Sequence, residues 1–220
     1  MNNQSILWID HLEKLIQQKH MLSHPFYQAW TRGVLTKATL QTYVKEYYQH
    51  VKAFPTYLSS LHSRCNDLQI RKHLLTNLMD EESGCPNHLD LWKSFALAIG
   101  VDPKDLDLHK PQKATQELID HFHKNCSQSL SVGVATLYSY ESQIPTICQT
   151  KIDGLKKWYG LKNPESYQYF SVHETVDIEH SHTEKNILLD IVQPGEEKVV
   201  LEAVKTTLDT LGNFLSSFHV

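Results

Sequence analysis

The chain has 220 residues, with 21 Lys and Arg against 25 Asp and Glu, a net charge of −4; the basic excess of a nucleic-acid binder is missing. Hydrophobic residues make up 40% and charged residues 21%, the balance of one globular domain over residues 1–220 rather than of a disordered chain. No run of about 18 apolar residues occurs, so no membrane span is expected.

Taken in chain order, the apolar pattern is helical almost throughout. Ile6, Ile9, Leu12, Leu15 and Ile16 recur at three- and four-residue steps in the first segment. Tyr27, in His24-Pro-Phe-Tyr27, is placed just before a helix. Thr36 should cap a long helix over residues 37–61, and another should cover 68–82. Asn87 reads as the cap of a helix that Gly100 stops, and Asp102-Pro103 as a cap with proline in the first turn. Residues 106–113 are polar and expected to form a loop. Helices over 114–124 and 129–151 follow, then a short one opened by Asn163-Pro164. Ser171 and Glu174 have capping-box spacing for a helix that ends before Pro194. A last helix should cover 196–218. No strand alternation and no repeat is found, so the expectation is an all-α bundle of about seven or eight helices.

Two features bear on the compartment. The stretch from Met1 to Asp10 lacks the basic start and apolar core of a signal peptide. Cys65, Cys85, Cys126 and Cys148 stand apart with no C-x-x-C spacing, which reads as reduced, buried thiols in a cytoplasmic protein.

The chemistry lies in Ser171-Val-His-Glu-Thr-Val-Asp-Ile-Glu-His180. His173, Asp177 and His180 are four and three residues apart, so a helix puts them on one face. Two imidazoles and a carboxylate are a ligand set for a divalent transition metal such as iron. An isolated pattern of this kind is most often a solvated helix face, so further ligands are needed. Glu81 and His88 are seven residues apart, with Gly84 and Pro86 between them; either the helix kinks there or a new one starts at Asn87. Glu141 sits in an apolar stretch four residues before Pro145, where the helix should bend. Three carboxylates and three imidazoles can serve two ions and leave room for dioxygen and water. His182 is half a turn off the stripe, Glu82 is one residue off the Glu81 stripe, and Glu184 shares the ligand face one turn past His180. Tyr43, Tyr47 and Tyr48 have helical spacing and read first as core; Lys45 and Lys151 read first as surface lysines.

Long runs then match a known family: His20-Met-Leu, Leu35-Thr-Lys, Lys52-Ala-Phe-Pro-Thr-Tyr-Leu, His62-Ser-Arg-Cys, Asn77-Leu-Met-Asp-Glu-Glu, Pro86-Asn-His-Leu-Asp-Leu-Trp92 and Leu137-Tyr-Ser-Tyr-Glu-Ser-Gln-Ile-Pro145. The chain resembles the chlamydial protein associating with death domains and its bacterial relatives. These are haem-oxygenase-like di-metal oxygenases that make para-aminobenzoate for folate. The resemblance implies metal ligands at Glu81, His88, Glu141, His173, Asp177 and His180, holding two iron ions or a manganese–iron pair, with dioxygen and an external reductant as co-reactants. It implies that the protein consumes one of its own tyrosines in a single turnover. Tyr27 is the first candidate and Tyr43 the second, with Lys151 as the amine source. A homodimer is the expected assembly.

Other readings share the scaffold. Pyrroloquinoline-quinone synthase is a cofactor-free oxidase, and thiaminase-II proteins use a cysteine nucleophile; fold alone does not separate them. Haem oxygenase activity would need a proximal histidine, for which His20 or His24 could be proposed. The family name also raises a surface interaction with host death-domain proteins, as a secreted effector.

Overall fold

The computed structural model describes residues 3–220, with side chains from Trp8 onward, so the Ile6 position of the first apolar stripe lies outside the described side chains. Eleven α-helices are present among the described residues: α1 (Asn3–Gln18), α2 (Pro25–Arg32), α3 (Lys37–Arg64), α4 (Leu68–Glu82), α5 (His88–Ala98), α6 (Pro103–Leu108), α7 (Lys113–Gln128), α8 (Leu130–Glu141), α9 (Ile144–Trp158), α10 (Gln168–Ile191) and α11 (Glu197–Ser216). The turns Met21–Ser23 and Pro164–Tyr167 are 3₁₀ helices. The all-α expectation holds. The count exceeds seven or eight because Pro25–Arg32 and Pro103–Leu108 form short helices of their own and the segment expected over 129–151 is two helices.

Most boundaries follow side-chain capping. Thr36 accepts the Thr39 N–H at 3.0 Å and opens α3. Asn87 accepts the Asp90 N–H at 2.9 Å and opens α5, and Asp102 accepts the Lys104 N–H at 2.8 Å and opens α6. α6 occupies the first part of the expected 106–113 loop. His24, with Pro25 in the first turn, caps α2, so Tyr27 lies inside a helix rather than before one. The segment over 129–151 breaks at Ser142 and Gln143 into α8 and α9, a fuller interruption than the bend expected from Pro145. Ser171 caps nothing: the 3₁₀ turn at Pro164–Tyr167 feeds straight into α10, which begins three residues before it.

Helix α8 is the axis of the bundle. Every residue from Ser131 to Glu141 is buried, the all-round burial of a helix enclosed by neighbours. It packs against α3, α7, α9, α10 and α11. Gly133 permits this closeness: a Cβ there would stand 2.4 Å from Leu61 Cδ2 and 3.1 Å from Cys126 Cα. Enclosing α8 buries whatever its last residue carries, and that residue is Glu141.

One buried acid belongs to the scaffold. Glu46 on α3 is fully buried, pairs with His109 at 2.6 Å, and accepts the Gln112 N–H at 3.0 Å and the Thr115 hydroxyl. Gln112 starts α7 without a side-chain cap of its own, so Glu46 caps that helix from across the core. Glu46→Ala is expected to cost about 2–4 kcal/mol, since it leaves buried donors without an acceptor. Thermal denaturation should show a Tm lower by roughly 5–10 °C.

Candidate metal centre

Four helix ends and faces converge. Glu81 lies in the last turn of α4. The chain turns through residues 83–87 and restarts at Asn87, which makes His88 the first residue of α5. Glu141 is the last residue of α8. His173, Asp177 and His180 share one face of α10. The structure brings the six residues into two groups of three, Glu81–His88–His173 and Glu141–Asp177–His180, with one potential ligand atom from each member within 4.8 Å of the others. His182 is exposed on α10 and Glu82 is exposed beside Glu81, as the helix geometry required.

The imidazoles are oriented. His173 Nδ1 lies 2.7 Å from the Tyr169 carbonyl, so Nδ1 carries the proton and Nε2 is free toward Glu81, 3.8 Å away. This pairing of one ring nitrogen with a carbonyl is what fixes a ligating histidine. His88 Nδ1 lies 3.1 Å from Glu81, and His180 Nδ1 lies 3.5 Å from Asp177. Neither of these two nitrogens makes a well-formed hydrogen bond, although both are buried. His180 Nε2 lies 3.1 Å from Asp80. On α4, Asn77 donates to Glu141 at 3.1 Å. Asp80 and Asn77 were not singled out in the sequence; their signal is their place on the helix that carries Glu81. Glu184 is buried beside Glu141, with both carboxyl oxygens unpartnered.

The electrostatics follow from placing four acids and three imidazoles in a dry interior. Burial pushes Glu81 up, but His173 and His88 outweigh it and hold the carboxyl at about 2. Burial raises Glu141 to about 7, and the Asp177 charge adds to the rise. Glu184 is raised well above the usual carboxylate range, by burial and then by Glu141. Burial lowers His180, but Asp177, Glu141 and Asp80 raise it to about 9. Left to themselves, Glu141, Glu184 and His180 hold protons to limit mutual repulsion. Divalent cations would satisfy the same carboxylates and the orphaned imidazole nitrogens, and six nitrogen and oxygen donors suit first-row transition metals. The residues therefore fit a metal pair. A small cavity of about 10 Å³ is lined by Glu81, Glu141, His173 and Asp177, with His50, Val51, Phe54, Tyr140 and Tyr169, about the room of one water-sized molecule.

The tyrosine and lysine candidates sit together. Lys151 is 2% exposed, which corrects its reading as a surface lysine. Its Nζ donates to the Tyr43 hydroxyl at 2.7 Å and lies 5.6 Å from the Tyr27 ring centre and 4.9 Å from that of Tyr47. Burial lowers the ammonium to about 8. Tyr27 and Tyr43 are both buried, and burial raises both phenols. A line of rings joins this pocket to the acids. Tyr43 is 5.4 Å from Tyr47, whose hydroxyl meets that of Tyr140. Tyr47 also lies 4.9 Å from Trp92, which is 4.8 Å from Tyr169, and Tyr169 stacks on His173 at 4.1 Å.

A family model described as TENA/THI-4/PQQC matches residues 9–218. The chain belongs to this family. A 4-aminobenzoate synthase of Chlamydia muridarum is 50% identical over 215 residues, 97% of this chain and 91% of that protein. A 4-aminobenzoate synthase of Nitrosomonas europaea is 41% identical, over 94% of this chain and 89% of its own length. A crystal structure from Shewanella denitrificans, described as a domain of unknown function with a haem-oxygenase-like fold, superposes with a TM-score of 0.81 at 18% identity, covering 99% of this chain and 92% of that one. The haem-oxygenase-like architecture of this TENA/THI-4/PQQC member is thereby established, and no helix among its described residues is long and apolar enough to cross a membrane.

Other features of this family member fall to structure rather than chemistry. His20 and His24 accept the N–H groups of Leu22 and Phe26 through their Nδ1 atoms and cap the segments that follow. Cys65, Cys126 and Cys148 are buried as expected, but Cys85 is exposed on the turn between α4 and α5. Burial pushes the Cys126 thiol up to about 12 and raises Cys148 as well, the opposite of an activated nucleophile.

Proposed function

We propose that this protein is a di-metal oxygenase, loaded with two irons or with manganese and iron, that makes 4-aminobenzoate from its own side chains. Tyr27 supplies the ring, Tyr43 is its partner, and Lys151 supplies the amino group. The observation that carries the reading is the placement of Lys151, a buried amine held against Tyr43 and over Tyr27 at the end of the ring line that reaches His173. Surface lysines have no reason to be there, and an amine lowered to about 8 is neutral and nucleophilic in about a tenth of molecules at pH 7, far more than an ordinary lysine. The relatives named 4-aminobenzoate synthase, at 50% and 41% identity over nearly the whole chain, support the same product.

A bound metal pair supplies dioxygen reduction and oxidising power toward the phenol, with electrons from an external reductant. The protein's own contribution is placement. Glu81, His88 and His173 would hold one ion, and Glu141, Asp177 and His180 the other. The Tyr169 carbonyl sets the His173 tautomer, and Asn77 fixes Glu141. The packed rings of Phe26, Tyr47 and Trp92 exclude water from the phenols. The Lys151 amine keeps its proton shared with the Tyr43 hydroxyl until the ring is reached. Consumption of a side chain limits each polypeptide to one equivalent.

The test joins metal analysis to intact-mass measurement. Metal-loaded protein exposed to dioxygen and reductant should form up to one 4-aminobenzoate per chain and lose the corresponding mass at Tyr27. Tyr27→Phe should retain the metals and form no product. Loaded protein that consumes dioxygen while Tyr27 stays intact would falsify the tyrosine assignment.

A further inference from the structure

Helix α3 carries a buried stripe at steps of four and three residues, Tyr43, Tyr47, His50, Phe54, Tyr57 and Leu61, that is aromatic or aliphatic except at His50. Packing there asks for an apolar ring, and the neighbours supply one on every side. Phe122 lies 4.9 Å from the His50 ring, Tyr140 5.1 Å, Tyr47 5.7 Å, Tyr57 5.8 Å and Phe54 6.0 Å. The imidazole is fully buried, and neither of its nitrogens has a hydrogen-bond partner. Edge contacts with rings absorb an N–H only weakly, and leaving a buried polar group unmatched costs on the order of 1–3 kcal/mol. A phenylalanine or leucine would avoid that cost, so packing does not account for the histidine.

His50 also lines the small cavity of about 10 Å³ that members of both acid–imidazole groups border. It belongs to neither group of candidate metal ligands. The other lining groups are the acceptor carboxylates of Glu81, Glu141 and Asp177, the His173 ring, the apolar Val51 and Phe54, and two phenols, of which the Tyr140 hydroxyl is engaged by Tyr47; a neutral imidazole adds a donor that needs no change in charge. We propose that His50 is a positioning residue whose ring N–H holds a water-sized acceptor molecule, neutral or anionic, in this cavity. The proposal rests on the di-metal reading above and adds to it the group that orients what binds between the two sets of ligands.

The test uses full-length, iron-loaded, oxidised protein and fluoride, a single-atom acceptor of suitable size, followed through the iron(III) absorption bands. Wild type, His50→Phe and His50→Gln should carry the same iron content. The fluoride Kd should weaken about tenfold in His50→Phe and recover most of that in His50→Gln, which retains an N–H donor. Should the bulkier ring prevent folding, as judged by circular dichroism, His50→Leu replaces it in the comparison. Equal fluoride affinity in all variants would overturn the assignment and leave the di-metal reading standing. Iron lost from a folded His50→Phe would also overturn it, by making His50 part of ion binding. A wild type that takes up no iron would remove both.

Discussion

Asp177→Asn is expected to reduce the metal content from about two ions per chain to about one, measured by elemental analysis after anaerobic loading. Asp177 belongs to the Glu141–Asp177–His180 group and not to the Glu81–His88–His173 group, so the loss should be selective. Replacing exposed His182, on the same helix, should change nothing. The stability effect should appear on loading. Without cations, the Asp177 charge raises Glu141 and Glu184 but also supports protonated His180 and His173, so neutralising it exchanges relieved repulsion for lost attraction and changes metal-free stability little. With cations in excess, wild type gains RT ln(1 + [L]/Kd), about 2.7 kcal/mol per site at a hundredfold excess over Kd, and the variant gains at one site only. A metal-free Asp177→Asn protein much less stable than wild type would contradict this account.

The same groups set the pH dependence. In the metal-free protein, Glu141 is raised from 4.5 to about 7, so the folded form holds a proton that the unfolded form has released. Its contribution is present below the unfolded value and is lost as pH rises toward 7. His180, raised from 6.5 to about 9, is lost in the same direction, between about 6.5 and 9. Glu81, lowered to about 2, contributes above 4.5 and is lost only in acid. The Tm of metal-free protein should therefore fall between about pH 6.5 and pH 8, where Glu141 and His180 give up protons and neither His50, lowered to about 3, nor Lys151, lowered to about 8, acts in the other direction. Metal affinity should rise over that window, because binding displaces the same protons. Thermal denaturation with and without metal across this range checks both slopes.

These features were legible in the sequence to very different degrees. Side chains that act through local spacing could be read directly: Thr36, Asn87 and Asp102 as caps, and the common face of His173, Asp177 and His180, which needs only the pitch of a helix. The joining of Glu81, His88 and Glu141 to that face is a tertiary fact. It depends on the chain restarting at Asn87 and on α8 running through the middle of the bundle, which no residue within α8 announces. The roles of Asn77, Asp80 and His50 are hidden for the same reason: each makes its contact with a residue distant in sequence or with a cavity, and the helix shared with Glu81 is the one local sign for the first two. Composition alone assigns Lys151 to the surface, although the resemblance singles it out as the amine source, and the packing of α9 against α2 and α10 puts it among rings. Where local preference and observed placement disagree in this way, a functional demand is the usual cause.

That disagreement at Lys151 can be measured. The folded protein lowers the Lys151 ammonium from 10.5 to about 8, a shift worth about 3 kcal/mol against the native state at pH 7. Lys151→Met keeps most of the side-chain volume and removes the charge, at the loss of one hydrogen bond to Tyr43 worth about 1 kcal/mol. The variant should therefore be more stable than wild type by about 2 kcal/mol at pH 7, a Tm increase of roughly 4–8 °C. The sign with pH follows from a base whose folded value is depressed. Between about 8 and 10.5 the unfolded chain still binds the proton and the folded chain does not, so wild-type stability from this group rises across that window. The advantage of Lys151→Met should shrink accordingly by pH 10. The same variant should bind both metals and release no 4-aminobenzoate. Lys151→Arg, whose charge cannot be given up, should lose product without the gain in stability. A methionine variant that is less stable than wild type and still forms product would show that the lysine serves packing rather than chemistry.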